Sequence, residues 1–138
     1  MDKVLNYLSL ARKAGCAELG EEPAGAAARA GKAYLLLAAG DCGDHTWRRA
    51  KSYAAGTDQQ CVRLPFTKDE MGMATGRTSL ALAAITDAAL ALAMVQALPE
   101  QEKYTEVVAV LTKKVERQRQ RKKEAQAHKK NVAKGKKK

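Results

Sequence analysis

Apolar residues at Val4, Leu5, Leu8, Ala11 and Ala14 recur at helical spacing, which predicts a helix over residues 2–14. Asp2 is placed to cap it and Gly15 to stop it. A second helix is predicted from Gly20 to about Ala30, with Gly31 at its end. Pro23 fits only in its first turn, where a missing N–H costs nothing. AYLLLAA, residues 33–39, is a short apolar run after a glycine and reads as a buried strand. Asp41 or Asp44 then caps a third helix reaching about Ala55. Residues 61–64 read as a short strand ended by Pro65. Thr67 opens a short helix, TKDEMGMAT, that Gly76 closes. LALAAI, residues 80–85, is a third strand, and Thr86-Asp87 caps the apolar helix AALALAMVQAL before Pro99.

Helices alternating with short apolar strands predict the α/β class: a three-layer α/β/α sandwich around a small mixed sheet. After Pro99 the pattern changes. Val107, Val108, Val110, Leu111 and Val115 give residues 101–115 one apolar helical face. RQRQRKKEAQAHKK favours helix but has nothing to pack, and NVAKGKKK is expected to be disordered. The chain therefore divides into a body, residues 1–98, and a helical extension with a basic tail, residues 99–138.

Charge sharpens that division. The net charge is +10, yet residues 1–111 hold 12 Lys and Arg against 13 Asp and Glu, whereas residues 112–138 hold 13 against two. A dense basic tail seeks a polyanion, because cations release counterions from phosphates. From Arg117 onward the tail has no Trp, Phe, Leu or Ile to bury in lipid, so a membrane partner is not expected. The start, MDKVLNYLSLARKAG, lacks the apolar block of a secretory signal. Cys16, Cys42 and Cys61 are too few and too scattered for a disulfide framework, which suits reduced thiols in the cytoplasm.

The stretches LSLARKAGCAELGEE, AGKAYLLLAAGDC, RLPFTKDEMGMATGR and LALAAITD occur in this order. Together they resemble the ribosomal-protein superfamily named after L-seven-Ae and L-thirty-e, over about residues 3–98, and in particular its bacterial YlxQ-like branch. The resemblance implies an α/β/α sandwich without catalytic activity that binds RNA, in the best-known members at a kink-turn. It places RNA on two segments: the loop and start of the second helix, residues 19–26, and the loop at residues 75–80. Kink-turn binders follow roughly G-x-N-E-x-x-K. Gly20 keeps the glycine, but Glu22 stands at the Asn, Pro23 at the Glu and Ala26 at the Lys. Two carboxylates repel phosphate and a lost lysine removes a contact, so the expectation is RNA binding with relaxed or altered specificity.

The candidate RNA-binding residues are Gly20, Glu21, Glu22, Ala26, Arg29, Lys32, Gly76, Arg77, Thr78 and Ser79, with Arg117, Arg119, Arg121, Lys122 and Lys123 of the tail. Each has a plainer reading. Glu21 and Glu22 also suit a helix dipole, and Arg77 a solvated loop. Trp47 at a helix start suits packing, and Arg48, Arg49 and Lys51 suit a solvated face. Asp41-Cys42-Gly43-Asp44-His45 bunches metal-ligating types, but the only other histidine is His128, so no metal is expected. No nucleophile with a matching base, P-loop or dinucleotide fingerprint is present, so no cofactor and no enzymatic activity are expected. The expected protein is a cytoplasmic monomer that binds ribosomal or other structured RNA, and the ribosome itself is a candidate partner. Two other readings remain: a protein-interaction module docking through its long helix, and a substrate-binding domain like those appended to RNA methyltransferases.

Overall fold

The computed structural model describes residues 2–136, with side chains placed through His128. Helix α1, Lys3–Lys13, is capped by Asp2, whose carboxylate accepts the Val4 N–H at 2.8 Å. Strand β1, Ala17–Leu19, leads into α2, Glu21–Arg29. Strand β2, Leu35–Ala38, is followed by α3, Asp44–Ala54. Strand β3, Gln60–Arg63, precedes α4, Lys68–Ala74, where Thr67 and Glu70 form a reciprocal capping box. Strand β4, Leu82–Ile85, precedes α5, Ala88–Gln96, capped by Asp87. A single 3-10 turn, Gln101–Tyr104, then opens α6, Thr105–Lys136.

The four strands form one mixed sheet in the order β1-β4-β2-β3. β4 pairs antiparallel with both β1 and β2, and β2 pairs parallel with β3. Every residue of β2 and β4 is buried, as strands covered on both faces must be. Helices α2 and α3 contact each other and, between them, all four strands, while α1 contacts α4 and α5. The α/β sandwich with a mixed sheet is thus as expected. β1 was not expected: three residues are too few to show an alternating pattern. Nor do Asp41 and Asp44 cap α3. Gly43 holds the cap position, and Asp41 instead accepts the Lys68 N–H at the start of α4, at 2.7 Å.

Leu111 is fully buried and belongs to the core, with Val107 and Val108 packed against it, so the first turns of α6 complete the body. From Glu116 to His128 every residue of α6 except Gln118 is exposed. The disorder expected from Asn131 falls on residues whose side chains, and at 137–138 whose backbone, lie outside the described residues. Among the described residues no helix is long and apolar enough to cross a membrane.

Candidate nucleic-acid interface

Helix α2 starts without a side-chain cap. Its cap residue, Gly20, takes φ 105°, a conformation that side chains resist, and donates its N–H to the Leu82 carbonyl at 2.9 Å. The start of α2, its positive dipole end, is thereby fixed against the start of β4. The loop after α4 comes to the same place. A Cβ built on Gly20 would lie 3.7 Å from Arg77 Nη2, so the guanidinium sits over the glycine.

A second cation joins it from α1. A Cβ built on Gly76 would lie 3.6 Å from the Arg12 guanidinium carbon. Arg12 was not among the residues singled out from sequence. Its only signal there was its place in the A-R-K-A-G stretch. The loop itself is held tightly: Arg77 N–H donates to the Gly72 carbonyl at 2.8 Å, and Leu80 N–H to the Lys68 carbonyl at 3.0 Å. Gly72 is buried where this loop crosses α4, and a Cβ there would lie 2.7 Å from Ser79 N. Thr78 and Ser79 are exposed on the same loop.

The residues named from sequence therefore fall in three places. Gly20, Gly76 and Arg77 come together, with Glu22 exposed beside Gly20 and Thr78 and Ser79 on the adjoining loop. Glu21 does not face outward with them. Thr46 Oγ1 donates to its carboxylate and Arg49 Nη1 lies 3.4 Å from it, so this acid is taken up by the contact between α2 and α3. Along the flank of α2, Ala26 and Lys32 line a shallow trough with Glu18, Pro23, Ala30 and Thr86. Arg29 lies over the Tyr53 ring, 5.8 Å from its centre. At the far end of the sheet, Arg117 and Arg121 line a separate cleft, and Arg119, Lys122 and Lys123 are exposed on α6.

Trp47 is half buried and already engaged by cations. Lys51 and Arg63 stand 5.6 and 5.7 Å from its ring, and Arg63 also donates to the Cys42 carbonyl. Among the described residues no three His, Cys, Asp or Glu side chains gather as a metal would require. What the arrangement at α2 can do chemically is receive an anion: the Arg77 guanidinium stands over an uncapped helix start, Arg12 lies against the adjoining Gly76, and glycines allow close approach.

No known family matches the chain, and no curated protein matches it. Solved structures do. A protein of unknown function from Bacillus halodurans matches with a TM-score of 0.67 at 22% identity, over 72% of this chain and 100% of that one. The Giardia lamblia 15.5kD RNA binding protein matches with a TM-score of 0.58 at 19% identity, over 72% of this chain and 84% of that one. The chain therefore shares the fold of these two proteins.

Proposed function

We propose that this protein binds structured RNA without catalysing a reaction, and that the surface formed by Arg12, Gly20, Gly76 and Arg77 is its primary contact. The observation that carries the reading is the approach of Arg77 to the uncapped start of α2, with Arg12 behind it. The likeness to an RNA binding protein of Giardia lamblia supports the same reading. Arg12 and Arg77 would neutralise phosphates, while the glycines and helix amides let the backbone approach. Glu22 and Ala26, in place of an amide and a cation, leave little with which to read the bases of a kink-turn. Specificity is accordingly broader than in kink-turn binders, and the cations of α6 add affinity. A cytoplasmic role on ribosomal RNA fits this chemistry.

The test is binding of a fluorescent kink-turn RNA and a matched straight duplex, at two salt concentrations, by the full chain and by Arg77→Ala. The variant should weaken binding to both RNAs and reduce the salt slope by about 1, as the loss of one phosphate contact does. If Arg77→Ala binds like the parent chain, the surface at α2 is not the contact. Binding carried only by α6 would then favour a protein-interaction scaffold anchored near RNA.

A further inference from the structure

The second cationic feature lies at the opposite end of the sheet. Gly20, Leu82 and Ala38 mark one end, since Gly20 bonds to Leu82 and Leu82 pairs with Ala38. The other end is where β2 and β3 begin, and there α6 passes over the loops that precede them. A cleft of about 180 Å³ opens between them, lined by Gly31, Tyr34, Asp58, Gln59, Arg117 and Arg121 among others. That is far more than the roughly 10–15 Å³ that one water needs.

Both walls of the cleft are fixed. Lys114 pairs with Asp58, which ties α6 to the loop before β3 and neutralises the one acid in the lining. Buried Gln59 donates from Nε2 to the Ala28 carbonyl at 3.1 Å, which ties that loop to the end of α2. Arg117 and Arg121, one helical turn apart on the same face, enter no ion pair among the described residues. A preformed polar cleft with two guanidinium groups outside any ion pair, Arg117 within electrostatic reach of the Lys114-paired Asp58, suits phosphodiester oxygens.

The cleft adjoins the trough along α2 through consecutive residues. Gly31 lines it, and the next residue, Lys32, lines the trough along α2 with Ala30, Ala26 and Pro23. Pro23 lies just inside the helix start, beside Gly20. Pro23, Ala26 and Ala30 line this trough along α2, a helix of about 13 Å at 1.5 Å per residue, with the Glu18 carboxylate and the Lys32 cation also in the lining. Where the family pattern has a lysine, Ala26 leaves the path open.

We infer that α6 and the loops before β2 and β3 form a second phosphate-binding cleft, and that an RNA strand leaving the Gly20–Arg77 surface runs along α2 into it. This rests on the RNA reading proposed above, but it assigns a separate contact with a separate signature. Arg117 and Arg121 act as a seated pair, whereas Lys122 and Lys123, which do not line the cleft, act only through their charge.

The experiment uses the full chain and two fluorescent RNAs: a short stem, and the same stem with a single-stranded extension of about ten nucleotides, long enough to follow α2. The extension should tighten binding by the parent chain about tenfold. Arg117→Gln with Arg121→Gln should abolish that gain and reduce the salt slope on the extended RNA by about 1.4, from about 0.7 per single-strand phosphate. Lys122→Gln with Lys123→Gln removes the same charge and should keep most of the gain. Equal losses from the two double variants, or no gain from the extension, would overturn the cleft. Arg77→Ala should weaken both RNAs by the same factor. If Arg77→Ala is silent while the arginine pair is not, the reading at α2 fails and the cleft stands. Circular dichroism of each variant confirms that α6 is retained.

Discussion

Replacing Gly72 by alanine should injure the molecule at one definable point. Gly72 is buried in α4, and the added Cβ would lie 2.7 Å from Ser79 N, 2.8 Å from Ser79 Cα and 2.9 Å from the Arg77 carbonyl. Ordinary contact begins near 3.4 Å, so something must retreat by at least about 0.7 Å. Helix α4 is anchored by Met71, fully buried, and Ala74, 6% exposed, so the loop carries the shift. Overpacking of this kind costs about 1–3 kcal/mol. Alanine returns about 0.5–1 kcal/mol through its better helix propensity. The net loss is about 1–2 kcal/mol, which lowers the melting temperature by roughly 3–8 °C in a chain of this size. Because the displaced loop carries Arg77, RNA affinity should fall with stability. The assay is thermal unfolding by circular dichroism alongside the RNA titration. Met73→Ala serves as the control: at 79% exposure it should stay within about 0.5 kcal/mol of the parent. A melting temperature for Gly72→Ala equal to or above the parent's would refute the argument that the loop needs a bare α-carbon beneath it.

Glu21→Ala should lower stability by about 1 kcal/mol, since Thr46 and Arg49 lose their acceptor, and yet tighten RNA binding at low salt by freeing Arg49. Loss of stability with no gain in RNA affinity would separate the two effects and reject the second. Burial pushes the Cys61 thiol up to about 12, although Lys51 opposes it. At pH 8 about one Cys61 in 10⁴ is then thiolate, so iodoacetamide followed by mass spectrometry should label Cys16 well before it. The same shift favours the neutral thiol in the folded state, so its stabilisation is full below the ordinary value of 9.0 and fades as pH rises toward about 12. Equal labelling rates for the two cysteines would contradict this. The hydrogen bond from Lys114 holds the Asp58 carboxyl below its ordinary 3.8. The unfolded chain therefore binds this proton first, and stability falls as pH drops through the window below that value. Lys114→Met should flatten that part of the stability profile, measured by denaturant midpoints, and an unchanged slope would show that the pair does not contribute.

Local signals in the sequence proved readable where the partner was near. The caps of α1, α4 and α5 follow from Asp2, Thr67 and Asp87, each bonded two or three residues away. The apolar runs placed β2 and β4 because both are buried throughout. Asp41 was misplaced because its bond runs 27 residues ahead, to Lys68, instead of into the helix beside it. The destination of Glu21 was hidden for the same reason, since Thr46 is 25 residues away. Two of the segments at the candidate interface were visible as glycine-bearing loops, but not that Arg77 reaches Gly20 or that Arg12 completes the group. Those contacts depend on how α1, α2 and α4 are set around the sheet, and no periodicity in any one of them encodes that.

The strand order has a consequence for life at high concentration. The sheet's two rims are β1 and β3. β1 is three residues long, too short to template a neighbouring chain. β3 carries the exposed Arg63 and runs out within two residues at Pro65, which has no N–H to offer. Short length, charge and proline are the devices by which open sheets resist joining edge to edge. The two well-formed, wholly apolar strands lie between these rims, so the segments most able to aggregate are the ones shielded from a second molecule for as long as the fold holds.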